Sequence, residues 1–368
     1  MPGFKADHVG SLLRPQALLE VRAAHERGEI GDEALKAAED KAVLKVLQLQ
    51  REAGVEVYTD GEFRRESWLG GLYAAAVGLV PGDDGRPRSG VWRGPGKDEA
   101  NRNLPIPPRV LHGRLKLKGR FTAEESGYLA VHAPGPFKVT MPGPTMYTSL
   151  YRQDAPDTGY PDRHAFLAHL VELYQAEVEG QTRDGAAYVQ LDSLRYTHVL
   201  GGFRARWGDY PPEEALDEAV RCDNAVLAQA KAGGAVTGVH MCRGNHRSAW
   251  AMEGGYEPIA ERVFAGIEAD RLLLEFDDAR SGGFEPLRFV PRGKTVVLGL
   301  VTTKTPELED KDHLRRRVDE ASKYVPLEHL ALSPQCGFAS TYLGNLLTED
   351  DEKRKLQLVA ETARSIWG

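Results

Sequence analysis

Short apolar runs alternate with long amphipathic segments along almost the whole chain, and nothing else in the sequence restricts the fold as much. Eight runs read as strands: residues 7–11, 55–60, 137–142, 187–192, 236–242, 271–277, 295–301 and 329–333. They are apolar and β-branched enough to be buried on both faces, as the strands of a parallel sheet are. Between them, residues 32–53, 163–184, 212–232, 256–269, 311–324 and 348–366 carry helical patterns. In the second of these, Phe166, Leu167, Leu170, Leu173 and Tyr174 recur at helical spacing. The third opens on Pro-Pro-Glu-Glu and the last on Thr-Glu-Asp-Asp, both favourable first turns.

Eight strands, each followed by a helix or a long loop, predict an α/β protein of the (β/α)8 TIM barrel class. An open doubly wound sheet is the alternative, but the first βα turn carries no Gly-x-Gly-x-x-Gly. Residues 82–108 break the alternation; they are rich in Gly, Pro, Arg and Asp and read as a long surface excursion. Residues 109–120 and 128–132 then read as extra strands, a hairpin over one end of the barrel. The expectation is a single catalytic barrel domain over residues 1–368, with an inserted excursion and hairpin around residues 82–132.

Charge and composition narrow the function. Lys plus Arg is 47 against 54 for Asp plus Glu, a net charge of −7 that argues against nucleic-acid or membrane-surface partners. No apolar run approaches the ~20 residues of a membrane span. The opening Met-Pro-Gly-Phe-Lys-Ala-Asp-His is too polar for a signal peptide. Three cysteines are too few for a disulfide framework and fit a reducing cytosol, so a cytoplasmic location is expected.

Barrel active sites form at the C-terminal ends of strands. Read in order, those ends carry His8 to Ser11, Asp60-Gly61-Glu62, Met141 to Pro144, Asp192-Ser193, His240-Met241-Cys242, Glu275 with Asp277 and Asp278, Thr303-Lys304-Thr305, and Cys336-Gly337. His240 and Cys242, two apart on an extended strand, share one face. Glu275 and Cys336 come from later strands and can converge with them, which makes a zinc set of one His, one Glu and two Cys. Two thiolates and a carboxylate would leave zinc with a net negative charge. Such a site polarises a carbonyl poorly but can hold a substrate thiol as a nucleophilic thiolate. A His-x-Cys pair by itself is more often two ordinary buried residues. Cys222, inside the segment 212–232, reads as a small core residue.

The stretches HVGSLLRP, TDGEFRR, PGPTM, QLDSL, GVHMCRGN, LEFDDARSGGFEPL and LSPQCGF run in order through nearly the whole chain. By them the sequence resembles the cobalamin-independent methionine synthase family in its short form, the C-terminal catalytic barrel of the two-barrel enzymes. The resemblance implies a methyltransferase of methionine biosynthesis, similar to 5-methyltetrahydropteroyltriglutamate–homocysteine methyltransferase. It implies zinc held by His240, Cys242, Glu275 and Cys336. It also implies a homocysteine site formed by Ser11, Glu62 and Asp192, with His8 and Arg14 lining the same mouth. Two carboxylates suit an α-ammonium, and a backbone N–H with the Ser11 hydroxyl suits an α-carboxylate. The structural alternatives are a salt bridge from Glu62 to Arg64 or Arg65, a strand-end cap for Asp192, and a loop start for Arg14 before Pro15.

Two departures touch the methyl donor. The long enzymes place a histidine after strand seven as a proton shuttle; here the stretch is VTTKTPELE, and Lys304 stands there as candidate catalytic acid. Its alternative is an ion pair with Glu307 or Glu309. They also carry a tryptophan after the Gly-Pro turn that stacks on the pterin, where this chain offers Leu150, Tyr147 or Tyr151. The donor is therefore left open between methylfolate, a methyl-corrinoid protein and a small methylated compound. Alkyl transfer to another thiol, as in the similar epoxide–coenzyme M transferases, is the second enzyme reading, although a sulfonate calls for cations rather than carboxylates. A non-catalytic zinc-stabilised binding barrel is the third.

Overall fold

The computed structural model describes residues 3–82, 91–102, 108–155, 157–200 and 211–368. Six parallel strands pair in chain order: β3 (Lys138–Pro142), β4 (Tyr188–Asp192), β5 (Val236–Met241), β6 (Arg271–Glu275), β7 (Thr295–Val301) and β8 (Leu330–Pro334). Every residue of β3, β4, β5, β6 and β8 is buried. That is why these segments read as continuous apolar runs rather than alternating ones. Helices α6 (Arg163–Arg183), α7 (Pro212–Ala232), α8 (Glu257–Gly266), α9 (Lys311–Ala321) and α10 (Glu349–Trp367) follow β3, β4, β5, β7 and β8. Only short 3-10 turns follow β6. α10 starts from a full capping box, in which Thr348 and Asp351 satisfy each other's backbone N–H groups.

The two N-terminal runs join this sheet sparsely. Ala6 makes a parallel bridge to Leu332 of β8, and Tyr58 makes one to Phe137 just before β3. The Glu56 N–H reaches the Ala6 carbonyl at 3.3 Å, so the two runs also touch each other. Six of the eight expected strands are thus regular, and the first two flank the sheet edges as extended segments. Phe4, Val57, Tyr188, Val236, Leu273, Val297 and Ala331 form one buried cluster drawn from both N-terminal segments and from β4 to β8. The first of these segments leads into α1 (Gln16–Glu26) and α2 (Asp32–Ala53).

The expected hairpin is corrected in two respects. Residues 128–132 are not a strand but the end of α5 (Ala123–His132), whose buried Glu125, Ser126 and Leu129 follow helical spacing. Arg109–Leu117 is a strand, β2, but it pairs antiparallel with β1 (Ala76–Pro81), which lies before the excursion. The sequence reading missed β1, α1 and two six-residue helices, α3 (Gly70–Ala75) and α4 (Lys97–Arg102). Residues 83–90 and 103–107 of the expected excursion lie outside the described residues. Among the described residues, no helix is long and apolar enough to cross a membrane.

Candidate metal centre and active site

His240 is the next-to-last residue of β5, Cys242 lies just past its end, and Cys336 follows β8. The two sulfurs and a ring nitrogen of His240 lie within 4.8 Å of one another, and all three residues are buried. Neither ring nitrogen of His240 makes a hydrogen bond to oxygen or nitrogen, an orphaned donor and acceptor in the interior. A hydrogen bond from the Cys336 thiol, against the effect of burial and with help from His240, holds the Cys242 thiol well below its ordinary range. The same bond, with burial, pushes the Cys336 thiol up. One imidazole with no oxygen or nitrogen partner and two sulfurs sharing a proton suit a soft, tetrahedral cation, and zinc fits this donor set.

Glu275, the fourth expected ligand, is fully buried beside the trio but is not part of it. Its Oε2 accepts the Arg243 N–H at 2.6 Å, and its Oε1 lies 2.7 Å from the Arg280 guanidinium. Burial raises this carboxyl, but Lys304, Arg280 and Arg243 outweigh it and leave it below its usual value. Lys304 is 4% exposed, and its ammonium has no hydrogen-bond partner. The surface ion pair considered for it does not form: Glu309 takes the Thr302 N–H at 2.7 Å and faces Lys355 at 3.4 Å.

The loops that carry the two cysteines are stitched together. Asn245 donates to the Gly337 carbonyl at 2.7 Å, one residue past Cys336. Asn345 accepts the Ser248 N–H at 2.9 Å and donates to the Thr303 carbonyl at 2.7 Å, next to Lys304. Arg247 and Ser248 sit at φ of 52° and 64°, conformations that cost a non-glycine residue about 1 kcal/mol or more and persist only where the surroundings over-determine them.

Glu62 and Asp192 are both buried near this centre. Glu62 is another non-glycine residue at positive φ, 60°, and its N–H is held by Asp60 Oδ1 at 2.9 Å. Its Oε1 accepts from the Thr140 hydroxyl at 2.7 Å, whereas Oε2 has no partner. Arg65 stands 3.5 Å from Oε1, and Arg64 pairs elsewhere, with Glu39 and Asp40. Asp192 accepts from Gln190 Nε2 at 2.7 Å. Burial, with the neighbouring Glu62 adding and His240 opposing, pushes its carboxyl up to about 7. Asp192 therefore feels both the second carboxylate and the histidine of the metal group. Ser11 abuts the residue after Cys336, since a Cβ on Gly337 would lie 1.9 Å from the Ser11 hydroxyl.

Two expected mouth residues have other tasks. All the hydrogen bonds of the Arg14 guanidinium go to main-chain carbonyls, those of Ala339, Thr341, Glu62 and Arg65. It thereby ties the loop of Glu62 and Arg65 to that of Ala339 and Thr341. His8 Nε2 bonds the Val57 carbonyl at 2.9 Å, and burial with the Lys138 charge pushes its ring down to about 4, a neutral interior residue. Of the residues offered for stacking, Tyr147 and Leu150 are core residues, and the Tyr147 hydroxyl donates to the Leu69 carbonyl. Sequence reasoning missed Arg243, Arg280 and Gln190. The first two stand inside the quoted stretches GVHMCRGN and LEFDDARSGGFEPL, where an arginine next to an acidic tip was the available signal.

Residues 98–349 match the family described as cobalamin-independent synthase, catalytic domain. The chain is 36% identical to YxjG of Bacillus subtilis, an uncharacterized protein, over all of this chain and 95% of that one. It is 25% identical to a methionine synthase of Pyrococcus abyssi, over 92% of this chain and 87% of the relative. A solved structure assigned as a vitamin B12-independent methionine synthase from Listeria monocytogenes superposes with a TM-score of 0.77 at 30% identity, over 99% of this chain and 98% of the other. With His240, Cys242 and Cys336 gathered at the C-terminal ends of β5 and β8, these matches make the chain a member of the cobalamin-independent methionine synthase family, a family of methyltransferases.

Proposed function

We propose that this protein transfers a methyl group from methyltetrahydrofolate or a related donor to the sulfur of homocysteine, giving methionine, with zinc as cofactor. The observation that carries this reading is the buried trio of His240, Cys242 and Cys336, with an imidazole and two sulfurs close enough to share one ion. Zinc in this donor set would lower the pKa of a substrate thiol and leave the sulfur nucleophilic. Glu275, buried beside the trio, would be the fourth residue to hold the ion in this reading. Residues 7–11 and 55–60 serve as the first two strands of a closed (β/α)8 barrel, so that all the site residues meet at one mouth within a single domain.

The chain's own side chains account for substrate choice. Glu62, with one carboxylate oxygen bare, and Asp192 bind the α-ammonium of the amino acid. Ser11, beside Gly337, takes the carboxylate. Two buried carboxylates disfavour a sulfonate thiol such as coenzyme M. Lys304 supplies the proton that the departing donor nitrogen needs, because an amine leaves poorly as an anion. The test is to replace the zinc by cobalt and follow the thiolate charge-transfer band during a homocysteine titration. A new band on adding homocysteine supports the reading; an unchanged spectrum would overturn it in favour of a closed structural site.

A further inference from the structure

Behind Glu62 lies a buried group of side chains that no step above uses. Glu62, Arg65, Glu125 and Thr140 are all 5% exposed or less. Arg65 is three residues from Glu62 and would ordinarily be its salt-bridge partner. Instead its Nε donates to Glu125 Oε1 at 2.6 Å and its Nη2 to Glu125 Oε2, a two-pronged pairing with a residue of α5. Nη2 also donates to the Thr140 carbonyl at 2.7 Å, and Nη1 to the Thr140 hydroxyl at 3.4 Å. Only the long 3.5 Å contact from Nη1 reaches Glu62. The Thr140 hydroxyl, wedged by the guanidinium on one side, donates to Glu62 Oε1 at 2.7 Å. The outcome is a carboxylate fixed through one oxygen with the other left bare.

We infer that Glu125 is a positioning residue for recognition of the substrate amino group, because it holds Arg65 off Glu62 and so keeps Glu62 available to an ammonium. The inference rests on the homocysteine reading above. Its physical core is a competition. Arg65 can make one bidentate pair, and two buried carboxylates stand within its reach. While Glu125 holds the fork of the guanidinium, Glu62 keeps its charge unspent. Without the Glu125 charge, Arg65 is the nearest cation to Glu62, only three residues away, and it would occupy the position of the ammonium. The group also has room to rearrange: Arg65 and Glu125 line an open cavity of about 690 Å3, together with Arg22, Arg64 and Phe121.

The competition makes a prediction that simple structural support does not. Glu125→Gln in the zinc- or cobalt-loaded protein should weaken homocysteine binding tenfold or more and leave binding of 4-mercaptobutanoate, the same thiol without the amino group, within twofold. Adding Arg65→Met to Glu125→Gln should then restore most of the homocysteine affinity, because the competing cation is gone. Thermal melts of each variant check that the fold persists. Unchanged homocysteine affinity in Glu125→Gln, equal losses for both thiols, or a double variant no better than the single one would each overturn the inference while leaving the homocysteine reading intact. Wild-type protein that binds the two thiols equally would overturn that reading and this inference with it.

Discussion

Replacing Lys304 by methionine should lower turnover far more than its modest loss of stability explains, which separates a chemical role from a structural one. The ammonium is 4% exposed and has no hydrogen-bond partner. Its charge acts to lower both the Glu275 and the Asp277 carboxyls, so its removal leaves two buried carboxylates less compensated. Taking away one member of a buried charge group typically costs about 3–5 kcal/mol. Arg280 and Arg243 stay beside Glu275, which argues for less than that range, about 1–2 kcal/mol. At roughly 2–4 °C per kcal/mol for domains of about 150–250 residues, Lys304→Met should melt a few degrees lower in the metal-stripped protein. The same variant loses the acid for the departing nitrogen, an effect of about 100-fold or more on turnover with methyltetrahydrofolate. Calorimetry of the stripped protein, metal analysis of the loaded one and steady-state rates make the assay. A melting point that drops while the rate holds would refute the argument, since it would mean that Lys304 has a structural partner and no part in the chemistry.

Three further outcomes follow from the same geometry. Cys242→Ala and Cys336→Ala should lose bound zinc by elemental analysis, whereas Cys222→Ala should keep it, because Cys222 sits in α7 with burial holding its thiol up at about 12. Glu62→Gln and Asp192→Asn should each weaken homocysteine binding by ~1.5–3 kcal/mol in calorimetric titration, the scale of a charged hydrogen bond, with zinc content unchanged. Asp223, outside the metal group, offers a pH test: burial, against a hydrogen bond from Tyr196, raises its carboxyl from 3.8 to about 7. Between those values the folded protein keeps a proton that the unfolded chain has released, so stability falls as pH rises across that window. Asp223→Asn should flatten this slope, amounting to a few kcal/mol at about 1.4 kcal/mol per unit, in chemical denaturation at pH 5 and pH 8.

What could be read from the sequence follows from which signals are local. The six central strands and their helices were legible because burial on both faces leaves an unbroken apolar run, and helical spacing marks the segments between. The end of α5 was misread because five residues, Tyr128 to His132, are too few to tell a period of two from one of 3.6. The buried Glu125 and Ser126 that disclose the helix are polar and carry no apolar signal. β1 was missed because it is a half-exposed edge strand whose partner, β2, lies across the excursion. α1 shows a single buried residue, Leu18, and so almost no amphipathic stripe.

The same division runs through the site. The structure brings His240, Cys242 and Cys336 together, and that was legible because the C-terminal ends of parallel strands lie at one edge of the sheet whatever the intervening sequence does. The four main-chain acceptors of Arg14 were not legible, because an arginine beside a motif serine looks the same whatever its guanidinium meets. The pairing of Arg65 was hidden for a deeper reason. Local spacing pairs it with Glu62, three residues away, yet Glu125, sixty residues on, takes the guanidinium. A long-range bond wins over a short-range one here because a two-pronged contact satisfies more of the guanidinium's donors than a single oxygen of Glu62 would. A local rule broken by a distant partner, in the residues that leave one carboxylate oxygen bare, is the pattern expected where a site has been kept open for a ligand.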